Sequence, residues 1–146
     1  MLIEEVKHKY NEYNTLFFNG VLPRVTEIHF YFDVVEEDAA GYTFVNNIEG
    51  SEFSLHRFGD EFKYAIAINP EVCKSERDIC ETLCHEMIHL YQFWLNFKKY
   101  AGPNSWHLQH GRVFTQKMNF INEEAKRLRI PIKLNCVFEG NNGAGK

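Results

Sequence analysis

The residues of this chain best suited to chemistry are His85-Glu86-Met87-Ile88-His89. On a helix, side chains four residues apart sit one above the other, so His85 and His89 can offer their imidazoles to one ion. Zinc accepts neutral imidazole nitrogen readily. Glu86 follows the first histidine, which sets its carboxylate beside the ion rather than on it. There it can take a proton from a zinc-bound water. The same pattern also arises by chance in a chain rich in His and Glu. The surroundings favour the metal reading: Leu83, Ile88, Leu90, Tyr91, Trp94 and Leu95 suit a buried helix, and histidines on a buried helix need a partner.

A catalytic zinc ion usually has three protein ligands and an open fourth position. The metzincin pattern fails, because Gln92 and Leu95 stand where it requires Gly and His. A glutamate from a later helix could serve, and Glu123 and Glu124 are on offer, although solvated acids on an exposed face are the blander account of both. His107 and His110, in SWHLQHGRVF, are the other candidates. For a donor to a developing oxyanion, Tyr42, Tyr91, Tyr100 and His107 are available, and the sequence does not choose among them.

Several elements must position these groups. Ile3, Val6, Tyr10, Tyr13 and Phe17 share one face of a helix over residues 2–18, which Asn19-Gly20 can end. Residues 25–33 read as a strand and 41–47 as a weaker one. Residues 52–58 and 61–68 flank Gly59-Asp60, which suits a hairpin turn. Ser75, with Asp78 three residues on, caps a helix over about 76–97. Ala101 to Ser105 form a loop. A last helix runs over about 110–128 with Phe114, Met118, Ile121, Ala125 and Leu128 on its apolar face. Pro131 follows, then a short candidate strand and a tail, 140–146, of disordered composition.

With 146 residues, 45% of them hydrophobic, the chain suits one domain with one core. A net charge of −4 argues against a general electrostatic grip on nucleic acid. The basic residues a DNA contact would use are Lys98-Lys99 and Lys126, Arg127, Arg129 and Lys133. No apolar run approaches a membrane span, and the N-terminus lacks the apolar stretch of a secretion signal. No pair among Cys73, Cys80, Cys84 and Cys136 has C-x-x-C spacing. Cys80 and Cys84, four apart, could serve a soft metal but better suit buried small residues. All four read as free thiols, which suits the cytoplasm, or the nucleoid or nucleus if the protein acts on DNA, with a monomer expected.

Several segments, taken in order, resemble the SprT-like family of zincin metallopeptidases. YNTLFFNGVLP (13–23) is similar to the family's opening helix and turn. AGYTF (40–44) and IAINP (66–70) are similar to its strands, ETLCHEMIHLYQ (81–92) to its active-site helix, and HGRVF (110–114) to its H-G-x-x-F segment. The resemblance implies an α+β, zincin-like single domain over 1–139. Its small, mostly antiparallel sheet would pack against an N-terminal helix, the HExxH helix and a C-terminal helix. It implies zinc held by His85, His89 and His110, with Glu86 as catalytic base. It also implies a protein or peptide substrate lying extended along an edge strand, for which residues 61–68 are the candidate, and proteins associated with or crosslinked to DNA as one substrate class. The family's C-terminal zinc ribbon or basic extension has no counterpart within these residues. The rival reading is a catalytically inactive, zinc-stabilised module that binds protein or DNA.

Overall fold

The computed structural model describes residues 1–45, 62–99 and 111–135. The expected strand over 52–58, the Gly59-Asp60 turn, the 101–105 loop and the 140–146 tail lie outside the described residues.

Helix α1 (Ile3–Phe18) buries Val6, Tyr10, Tyr13 and Phe17, the stripe its spacing predicts, together with Phe18. It ends at Asn19 and Gly20, with φ of 53° and 72°. Both residue types tolerate this left-handed backbone, and the Gly20 N–H returns to the Asn14 carbonyl at 2.9 Å. The chain is then tied back to the helix. Tyr10 donates its hydroxyl to the Pro23 carbonyl at 2.6 Å, and the Asn14 side chain bonds both main-chain groups of Leu22.

Strand β1 (Ile28–Phe32) follows a single 3-10 turn at Val25–Glu27, so the extended segment starts later than expected. Strands β2 (Gly41–Val45) and β3 (Tyr64–Ile68) complete a three-stranded sheet in the order β1-β3-β2. The sheet is mixed: β1 and β3 run parallel, β2 and β3 antiparallel. The expectation of a mostly antiparallel sheet is corrected accordingly for the described strands. The reason lies in residues 33–40, which cross over the C-terminal end of β3. Asp33 donates to the Ile68 carbonyl, and Asn69, only 1% exposed, donates its amide to the carbonyls of Glu36 and Ala39. This crossing carries the chain from one flank of β3 to the other, so the strand between them is enclosed.

The candidate edge strand, 61–68, is therefore corrected as well: β3 is the centre of the sheet, and its main-chain groups are paired on both sides. Ala65, Ile66, Ala67 and Ile68 are all buried, as in a strand covered on both faces.

Helix α2 (Glu76–Lys99) lies against the inner face of the sheet and against α1, and α3 (Arg112–Leu128) packs on both helices. Ser75 caps α2 through its hydroxyl, which accepts from the Asp78 N–H at 3.0 Å, while the Asp78 carboxylate takes the Lys74 N–H. In α3, Phe114, Met118, Ile121 and Ala125 are buried as expected, but Leu128 is 37% exposed. The helix turns away at Arg129 (φ 61°), and Ile132 and Leu134 of the following segment take the place next to the core. That segment is not a strand through Asn135. It is held by two hydrogen bonds between the Asn122 side chain and Leu134. No helix among the described residues is long and apolar enough to cross a membrane.

Candidate metal centre

The spacing of His85 and His89 has the predicted consequence. Their rings lie one turn apart with centroids 5.0 Å from each other and planes at 72°. Both are half-buried. Phe114, fully buried in the first turn of α3, closes the site from the third helix: its ring is 4.8 Å from the His85 ring and 5.1 Å from the His89 ring. The two imidazoles are thus held between α2 and the start of α3, whose N-cap is Gly111.

His89 Nδ1 lies 2.8 Å from Gln92 Oε1. An amide oxygen can only accept, so this contact suits the tautomer protonated at Nδ1, the form in which Nε2 can ligate an ion. Such a partner is what orients a ligating histidine. Gln92 is 9% exposed and sits three residues beyond His89 on the same helix, a spacing at which side chains meet. The spacing was legible in the sequence; sequence reasoning used Gln92 only to exclude a metzincin.

Glu86 turns toward the sheet. It is 4% exposed, and Thr43 of β2 donates its hydroxyl to Oε1 at 2.5 Å, with the Glu86 carbonyl 3.2 Å from the same hydroxyl. Gly41, two residues earlier on the same face, lies beside the carboxylate. A Cβ there would stand 3.1 Å from Glu86 Oε2, 2.7 Å from Thr82 Cγ2 and 3.0 Å from the Ala67 carbonyl oxygen. A side chain at 41 would therefore have to displace its neighbours. Thr43 and Gly41 are contributions that local sequence patterns do not reveal, because they come from a strand more than forty residues away.

Among the described residues no three His, Cys, Asp or Glu side chains converge as a metal-binding group. Glu124 is engaged with Arg127 at 2.7 Å, which also lowers its pKa, and Glu123 is exposed. The glutamate candidates for a third ligand are thereby set aside. His107 and His110 lie outside the described residues, as do Tyr100 and Cys136. The residue types on α2 suit zinc: two imidazoles one turn apart, and a carboxylate held alongside by another partner.

The remaining oxyanion candidates are placed elsewhere. Tyr42 alternates with Thr43, so its ring lies on the other face of the sheet, stacked 5.6 Å from Phe44. Burial, and then neighbouring Glu36, hold its pKa above the usual tyrosine range. Tyr91 packs against Phe18 and Trp94 and, with Phe18 and Phe120, surrounds the Lys117 ammonium at 4.7–4.9 Å. Burial in this aromatic setting lowers the Lys117 pKa. Cys73, Cys80 and Cys84 are free and buried, and burial raises the Cys84 thiol well above its usual range.

Comparison with known protein families finds a match to the SprT-like family over residues 6–134, nearly the whole chain. No curated protein matches the chain.

Proposed function

The chain belongs to the SprT-like family, a family of zincin-like proteases, and from that premise we propose that it is a zinc-dependent endopeptidase. The observation that carries the reading is the arrangement on α2, where two imidazoles lie 5.0 Å apart beside a buried carboxylate that points to the sheet. In this reading His85 and His89 hold the ion with His110, which directly precedes the Gly111 N-cap of α3. When bound, the ion supplies Lewis acidity. Glu86 accepts the proton of the attacking water and passes it to the leaving amine. Gln92 keeps the His89 lone pair directed at the ion.

The substrate would lie along β2, whose outer edge no described strand covers. The Asn69 N–H donates to the Ala40 carbonyl at 2.8 Å, which makes Ala40 and Asn69 a hydrogen-bonded pair of the antiparallel ladder. Such pairs alternate with non-bonded ones, so Gly41 and Thr43 direct their N–H and C=O groups to the outer edge. An extended peptide pairing there is recognised through its main chain, with little demand on its side chains. Flexible or unfolded protein segments, including those of DNA-associated proteins, are the substrate class this implies.

The test is cleavage of an unstructured, fluorescently labelled protein by the zinc-loaded chain, beside Glu86→Gln and His110→Ala. The expected outcome is turnover by the wild type, zinc without turnover in Glu86→Gln, and loss of zinc in His110→Ala. Turnover by Glu86→Gln equal to wild type would remove the base from the mechanism. A zinc-loaded wild type with no turnover would leave the binding-module reading in its place.

A further inference from the structure

We propose that Thr43 is a positioning residue for Glu86, so that the strand offered to the substrate also sets the orientation of the base. This role presupposes the peptidase reading above. A hydroxyl has one proton to give. The 2.5 Å separation from Oε1, against 3.2 Å from the Glu86 carbonyl, assigns that proton to the carboxylate. Thr43 is itself 6% exposed, and as a β-branched residue on a strand it has little rotamer freedom. It is therefore a stiff donor, fixed by the β2–β3 ladder through its register with Ile66.

A glutamate on a helix has three rotatable bonds, so the place of its carboxylate depends on the groups around it. Here each oxygen has its own boundary. Oε1 is held by Thr43, and Oε2 lies so close to position 41 that a Cβ there would stand 3.1 Å from it. The two residues that bound the carboxylate are the same two whose main-chain groups face the outer edge of β2. A peptide bonded to that edge would be held in register by Gly41 and Thr43, at a fixed height relative to the base they hold. A displacement of about 1 Å between reacting groups can cost about 100-fold in rate, so a shared anchor has a kinetic consequence.

Thr43→Val removes the donor and keeps the shape; Thr43→Ser keeps the donor. Both are compared with wild type and Glu86→Gln on the same labelled, unstructured protein, with zinc content measured for each. For Thr43→Val the expected result is a kcat lower by about 10- to 100-fold at nearly unchanged KM and zinc content. Thr43→Ser is expected to recover most of the loss. Gly41→Ala should also lower kcat, because its Cβ would press on Thr82 Cγ2 and the Ala67 carbonyl as well as on Oε2. An active wild type with Thr43→Val equally active would overturn the positioning role alone. Loss of activity that Thr43→Ser does not rescue, or that follows loss of zinc, would also overturn it. A wild type no more active than Glu86→Gln would overturn the peptidase reading, and this role with it. A readout independent of turnover is a double-mutant cycle of Thr43→Val and Glu86→Ala on denaturant unfolding of the metal-free chain. Non-additive midpoints are expected, and additive ones would overturn the contact on which the role depends.

Discussion

Replacing Gln92 by Leu should weaken zinc binding while leaving the fold in place. The side chain is 9% exposed, and its Oε1 accepts from His89 Nδ1 at 2.8 Å. Leu has a similar volume and suits a buried helical position, so the helix itself should tolerate it. The bond to His89 that disappears is worth about 0.5–1.5 kcal/mol net, or roughly a 2- to 12-fold change in an equilibrium constant. The imidazole also loses the partner that selects its tautomer and ring angle, and removing such a partner costs about 10- to 100-fold in metal affinity. These ranges overlap near tenfold, which is the expected rise in Kd. Competition with a chromophoric zinc chelator at neutral pH would measure it, with thermal unfolding of the metal-free chain as the control for folding. Gln92→Glu should act in the opposite direction, because a carboxylate strengthens the bond and raises the basicity of the ring. A Kd unchanged in Gln92→Leu, with the metal-free chain equally stable, would refute the assignment of Gln92 to ligand orientation.

Phe114→Ala should destabilise the chain by about 3–5 kcal/mol, because a fully buried ring is removed from between two helices. It should also lower zinc affinity, since the same ring contacts both imidazoles; denaturant unfolding and chelator competition on one preparation would separate the two effects. Asn69→Ala should cost about 2–4 kcal/mol in denaturant unfolding. It removes two donor bonds to the Glu36 and Ala39 carbonyls and one acceptor bond from the Glu71 N–H, each worth about 0.5–1.5 kcal/mol. A loss below about 0.5 kcal/mol would show that the 33–40 crossing does not depend on this side chain.

Much of the local structure was legible in the residues themselves. The stripe of α1, that of α3 as far as Ala125, the Asn19-Gly20 stop and the Ser75 cap all follow from interactions between neighbours in the chain, and the structure carries each of them. The juxtaposition of His85 and His89 belongs to the same class, because a helix makes i and i+4 neighbours wherever it is placed. Even the central place of β3 left a trace. Ala65, Ile66, Ala67 and Ile68 are apolar on both faces, a pattern better suited to an enclosed strand than to an edge.

Other features were decided only by the tertiary structure. Strand order depends on how residues 33–40 cross the end of β3, and a period-two pattern is indifferent to which neighbour a strand takes. Leu128 keeps the helical spacing of its stripe yet is 37% exposed, since the path after Arg129 brings Ile132 and Leu134 to the core instead. The setting of the carboxylate shows the division most directly. His-Glu-x-x-His names a base, but the hydroxyl on Oε1 and the close-packed glycine beside Oε2 come from β2, forty-three and forty-five residues away along the chain. Backbone periodicity encodes contacts along one element. Contacts between elements arise from packing and strand pairing, to which every part of the chain contributes at once.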